Sequence, residues 1–238
     1  MKEFVLLQNW WQVVVWAIAC YLIGCFNFAL LISRMKKSDI TKRGSGNPGT
    51  MNMSREFGLK IGVITFLCDA LKGGIPALVS FFVYKNFVFA GTAVAVTDVS
   101  RYFCGLCVII GHVFPVTMKF KGGKGIASTV GLFWLSLACE NAWWLAIGFS
   151  IFWLIVLFIT WTEWGSLGSL LGVSGFSIIQ MVIMLLRYPN VVNAYIITAY
   201  LLIFAINFLT WWAHRKNLAR LFAGEEHHTS VKKLAKKK

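Results

Sequence analysis

Three short polar stretches and one charged pair carry most of the residues in this chain that could do chemistry. The first stretch is RGSGNPGTMNMSR, from Arg43 to Arg55. Gly46 and Gly49 permit close backbone approach. Ser45, Asn47, Thr50 and Asn52 supply short hydrogen-bonding groups, and Arg55 can grip a phosphate with two parallel bonds. The second is MKFKGGKGIAST, residues 118–129, which sets Lys119, Lys121 and Lys124 among Gly122, Gly123 and Gly125. Such glycines can turn successive N–H groups toward an anion, and the helix expected from Ile126 offers its N-terminus to a phosphate. The third is HRKNLARLFAGEE, His214 to Glu226, where a helix would present His214, Asn217 and Arg220 at near-helical spacing. Asp69 and Lys72, in CDALKGG, lie i, i+3 on one face of an apolar segment, where ionisable groups pair and mark function. His112, just before Phe114-Pro115, is a titratable group or a helix-end hydrogen bonder. Glu163 is a candidate base by residue type alone.

The chemistry these types suggest is anion binding. Plainer readings stand beside it: a Gly/Pro/Asn turn, a basic loop on lipid head groups, a snorkelling basic flank and a structural ion pair. A simple helix connection needs only about two to eight residues. The stretch of about 27 around the first motif exceeds that and reads as a folded functional loop. Other chemistries lack their motifs. There is no G-x-x-x-x-G-K-[ST], no H-E-x-x-H, no G-x-S-x-G and no His-x-x-x-x-Asp. No metal or cofactor site is expected. Cys104 and Cys107 have redox spacing, but they sit in an apolar run and read as small apolar residues.

The elements that must position these loops are membrane helices. The chain is 58% hydrophobic, too apolar in long runs for an ordinary soluble domain. Residues 10–33, 61–84, 102–118, 168–186 and 191–213 are candidate spans, each near the roughly 20 residues a bilayer takes. Residues 125–162 are too long for one crossing and read as a hairpin turning at Glu140-Asn141, with 126–139 short and partly inside the protein. The fold expected is an all-α, polytopic membrane helix bundle of about seven transmembrane helices, a single domain over 1–238, with 222–238 a basic tail. Asn27 and Asn207 are expected to make interhelical polar contacts. The net charge of +14 does not require nucleic acid, because 18 of the 23 Lys and Arg fall in residues 34–60, 119–125 and 212–238. With seven segments these stretches share one side, which the positive-inside rule makes cytoplasmic, with the N-terminus outside. No secretory signal peptide is evident.

Four stretches carry a resemblance to a known family: GSGNPGTMNMSR, DALKGG, GHVFPVTMKFKGGKGIAST and HRKNLARLFAGEE. In this order and spacing the chain resembles the PlsY family, bacterial membrane acyl-phosphate:glycerol-3-phosphate acyltransferases, over nearly its whole length. It departs at Thr50 and Met51, where the family commonly has Ala and Thr. The resemblance implies transfer of a fatty acyl group from acyl-phosphate to the sn-1 hydroxyl of glycerol 3-phosphate, in the plasma membrane of a bacterium, without cofactor. It implies Ser45, Arg55, Lys124, His214 and Asn217 as catalytic residues. Substrate would be bound by Gly46, Asn47, Gly49, Thr50, Asn52, Asp69, Lys72, His112, Lys119, Lys121, Gly122, Gly123, Gly125 and Arg220. The proton acceptor is left open among a substrate phosphate oxygen, His214 and Asp69. A transporter or a lipid-binding paralogue is the alternative, although no internal repeat is visible.

Overall fold

A chain crossing lipid must satisfy its backbone groups within the segment, so its apolar runs become helices. The computed structural model describes residues 1–225. Among these, six segments are long and apolar enough to cross a bilayer: Trp10–Met35, Leu59–Tyr84, Thr97–Met118, Ala142–Thr162, Gly165–Arg187 and Ala194–Ala213. A seventh, Ile126–Ala138, is shorter, at about 20 Å, and mostly buried. The helix bundle expected from the sequence is what forms, including the short helix held inside it.

In chain order the helices are α1 (Trp10–Cys25), α2 (Phe28–Met35), α3 (Thr50–Phe57), α4 (Leu59–Tyr84), α5 (Thr97–Val113), α6 (Ile126–Ala138), α7 (Ala142–Thr162), α8 (Gly165–Arg187), α9 (Ala194–Ala213) and α10 (Arg215–Phe222). The first span is broken between α1 and α2. Asn27 accepts the Leu30 N–H at 2.8 Å, capping α2, and donates to the Pro48 carbonyl at 3.2 Å. It therefore caps one helix and anchors the first polar loop rather than bridging two helices. Asn207 behaves as expected, donating from α9 to Ser174 and Ser177 of α8 at 3.3 and 3.0 Å.

At the centre, α6 packs against α4 backbone to backbone. A Cβ on Gly131 would overlap the Ala70 carbonyl, and one on Gly73 the Ser128 carbonyl. Small residues permit this approach, which matters in lipid because no hydrophobic drive separates helix from solvent. The α6–α7 hairpin turns where expected, and Asn141 caps α7 by accepting from the N–H groups of Trp143 and Trp144.

The end of the bundle at the start of α5 is stapled by charge. Arg101 donates to Asp98 at 2.6 Å and to Glu140 at 2.8 Å, and Arg187 pairs with both carboxylates. Helix α5 thus begins at Thr97, earlier than the span expected from residue 102. Arg101 lies buried inside it, where two carboxylates offset its desolvation. Two short strands at the same end, β1 (Lys2–Phe4) and β2 (Phe87–Phe89), pair in parallel and add a minor β element to the all-α class.

Candidate active site

The opposite end of the bundle gathers the start of α3, the ends of α5 and α9, and the starts of α6, α8 and α10. They surround a cavity of about 1020 Å³. Every residue expected to be catalytic or to bind substrate, except Lys72, lines it. The three polar stretches thus form one site.

The first stretch is held by Asn52. Its amide donates to the Arg43 carbonyl at 3.0 Å and accepts the Ser45 N–H at 3.1 Å. Asn52 reaches the cavity wall, but its amide is engaged in shaping the loop. Thr50 lies at the start of α3, with its hydroxyl buried and, among the described residues, without a hydrogen-bond partner. Ser45, Asn47 and Arg55 lie on the same wall.

The second stretch works differently from expectation. The N–H groups of Gly122 and Gly123 donate to the carbonyls of Val113 and His112, both at 3.1 Å, and so are not turned to an anion. These glycines are needed for closeness instead: a Cβ on Gly122 would overlap the His112 carbonyl, and one on Gly123 the His112 ring. Three features remain to meet a phosphate: the ammonium groups of Lys119, Lys121 and Lys124, the left-handed Gly125 (φ +82°), and the first turn of α6. The first N–H groups of a helix have no partner within it and carry the positive end of its dipole.

The third stretch completes the wall. Lys124 Nζ donates to Asn217 Oδ1 at 2.6 Å, and Asn217 Nδ2 donates to Ser166 Oγ at 2.6 Å. Ser166, near the start of α8, was missed by the sequence reading. Its only signal was a Gly-Ser turn beside Glu163, and Glu163 itself is not on the cavity wall. His214 is buried, and its Nδ1 lies 2.8 Å from the Thr210 carbonyl. A carbonyl can only accept, so Nδ1 carries the proton and Nε2 keeps its lone pair. Burial, then the nearby Lys124 charge, lower the His214 pKa to about 4, so the ring is neutral at neutral pH. The Arg220 Nε is buried and lacks a hydrogen-bond partner among the described residues.

Beneath the second stretch lies the charged pair. Lys72 is 3.0 Å from Asp69 and donates to the carbonyls of Phe26 at 2.6 Å and Gly24 at 3.3 Å. Lys72 is therefore off the cavity wall and holds the broken end of α1, a role that its expected place among the substrate-binding residues did not include. Asp69 and His112 do reach the cavity, with His112 Nδ1 3.9 Å from Asp69 Oδ1. Below the polar end the wall turns apolar, with Phe66, Val130, Phe152, Ile155, Ile159 and Phe176.

A wall that is cationic at one end and apolar at the other gives this membrane protein a site whose chemistry suits an anionic head and an apolar tail together. A family model described as glycerol-3-phosphate acyltransferase matches residues 14–224, and the chain belongs to that family. Among relatives, the glycerol-3-phosphate acyltransferase of Mycoplasmopsis pulmonis is 33% identical, with 90% of this chain and 91% of that protein aligned. That of Mycoplasma pneumoniae is 36% identical, covering 87% and 90%. The crystal structure of PlsY (YgiH), an integral membrane glycerol 3-phosphate acyltransferase, in its glycerol 3-phosphate form, has a TM-score of 0.70 at 28% identity, covering 91% of this chain and 95% of that one. Its lysophosphatidic acid form has a TM-score of 0.69. The resemblance read from the four stretches is thereby confirmed. The chain is an acyltransferase of this bacterial, multi-pass membrane family.

Proposed function

We propose that the donor is a long-chain acyl-phosphate, that the acceptor is glycerol 3-phosphate, and that the site faces the cytoplasm. The observation that carries this is the convergence of all three polar stretches on one cavity that continues into an apolar compartment. In this reading Ser45, Asn47, Thr50 and Arg55, with His214, Asn217 and Arg220, hold glycerol 3-phosphate. Lys119, Lys121, Lys124 and the first turn of α6 hold the phosphate of the donor. Gly122, Gly123 and Asn52 fix the shape of these loops. The crowding of Lys and Arg at the site end of the bundle supports its cytoplasmic orientation.

The transfer needs no enzyme nucleophile. The acceptor oxygen attacks the acyl carbonyl, the bond from carbonyl carbon to phosphate oxygen breaks, and the hydroxyl proton must find a base. A phosphate monoester loses its second proton near pH 6, as a rule of thumb. His214, with a pKa of about 4, is the weaker base, and Asp69 is held in its ion pair with Lys72. The proton therefore passes to a phosphate oxygen of substrate, while His214 Nε2 accepts a hydrogen bond that orients the acceptor. Lys124 and the α6 N-terminus stabilise charge on the departing phosphate, and fixed placement of both substrates supplies much of the rate.

The test is phosphate release by purified protein given palmitoyl-phosphate and glycerol 3-phosphate. Acceptor-dependent release with lysophosphatidic acid formed, slowed in Arg55→Ala and Lys124→Ala, is the expected result. A folded protein that binds glycerol 3-phosphate yet turns over no acyl-phosphate would overturn the donor assignment.

A further inference from the structure

The cavity does not end at its polar loops, and the way it ends is specific. Along α8 the lining residues are small near the loops, Ser166, Ser169 and Gly172, and then abruptly large at Phe176. From Gly165 to Phe176 the wall runs about 16 Å into the bundle at 1.5 Å per residue. Along α7 the matching face ends at Phe152, two turns from Ile159. Both large rings are held by their neighbours. Phe152 stacks on Trp134 of α6, with centroids 5.2 Å apart and planes at 26°, and meets Phe66 of α4 at 5.8 Å. Phe176 is 1% exposed, and its ring edge lies within 3.5 Å of where a Cβ on Gly148 would stand, so it is seated against the α7 backbone.

We propose that Phe152, packed on Trp134 and Phe66, and Phe176, seated against α7 at Gly148, form a stop that sets the longest acyl chain the enzyme accepts. The inference rests on the acyl-phosphate reading above and adds a specificity determinant to it. The occupant is the donor's chain, because the apolar compartment is continuous with the cationic loops and its lining along α7 and α8 goes no deeper than these two rings, which suits an amphiphile with an anionic head. Each methylene buried between Gly172 and the rings strengthens binding, and the benefit stops where the chain terminus meets the aromatic wall. Interior packing leaves such a braced wall little room to give. A longer chain must then bend or leave its end outside.

The experiment compares kcat/KM for dodecanoyl-, palmitoyl- and stearoyl-phosphate at saturating glycerol 3-phosphate, in wild type and three variants. Phe176→Ala and Phe152→Ala should each raise the ratio of stearoyl to palmitoyl turnover by about tenfold, the worth of roughly two buried methylenes. Ser169→Leu fills the compartment above the stop and should move preference toward dodecanoyl-phosphate. Should the buried Phe176→Ala fail to fold, the half-buried Phe152→Ala carries the test. Active variants with an unchanged chain profile would overturn the stop while leaving the donor reading intact. Absence of turnover by wild type with all three acyl-phosphates would overturn the donor reading, and the stop with it.

Discussion

His214 illustrates how burial assigns a role that residue type alone leaves open. A histidine beside a substrate hydroxyl invites the part of general base, yet desolvation and Lys124 lower its pKa to about 4. The sign of the pH effect follows. Between its folded value and the ordinary value near 6.5, the unfolded chain binds the proton more tightly than the folded one. Stability from this group is complete above about pH 6.5 and declines as pH falls toward 4. For activity, a proton accepted by substrate phosphate predicts an acid limb of kcat/KM near pH 6 in wild type. The same limb should persist in His214→Asn, at a rate lowered by about ten- to a thousandfold through lost orientation. A limb that vanishes in that variant would make His214 the base. The chain Lys124–Asn217–Ser166 makes a second residue-scale prediction. Because Asn217 both receives from Lys124 and donates to Ser166, the losses in Asn217→Ala and Ser166→Ala should overlap. A double-mutant cycle on kcat/KM should show coupling of about 0.5–3 kcal/mol, whereas independent sites would be additive.

Helices and loops explain why the glycines and the charged pair sit where they do. The place of the GGKG segment at the site was legible, since its lysines and the helix start after it line the cavity. The role of Gly122 and Gly123 was not legible, because spacing cannot reveal that His112 folds back beneath them. The structural role of Lys72 was not legible for a similar reason. A buried lysine beside a polar loop reads as a substrate ligand, and only the break after Cys25 exposes the carbonyls it serves. Lys72 is thus the cap of a broken membrane helix and the partner of Asp69, which in turn approaches His112 under the loop. Lys72→Met should strand both the Asp69 carboxylate and the α1 carbonyls, costing about 3–5 kcal/mol and lowering the melting temperature in detergent. The double variant Asp69→Asn, Lys72→Met should recover part of that loss. Equal melting temperatures for wild type and Lys72→Met would show that the pair is not a staple. The Gly123 site carries its own expectation: Gly123→Ala must displace the His112 ring, so activity should fall with kcat affected more than stability.

At the scale of the molecule, hydropathy and charge made the bundle readable, since a lipid solvent admits few solutions. The hairpin at Glu140-Asn141 and the short α6 follow from length alone. The start of α5 did not, because Asp98 and Arg101 look like loop residues until Glu140 and Arg187, distant in sequence, are placed beside them. Orientation is the remaining property that the whole chain determines. The site end carries the basic loops of residues 34–60 and 119–125, and the other end holds β1 and the paired charges of α5 and α8. Moving the basic loops across a membrane is opposed by the bias that sets topology, so the loops should remain inside. Two exposed positions test this: Lys37, in the first basic loop, and Glu3, in β1. In intact cells a membrane-impermeant maleimide should label Glu3→Cys and leave Lys37→Cys unlabelled until the membrane is opened. Each would be compared with the parent chain, whose own cysteines, among the described residues, are buried or only partly exposed. The opposite pattern would turn the site outward, away from the cytoplasmic compartment proposed for it, and would require both phosphorylated substrates to be supplied from the far side of the membrane.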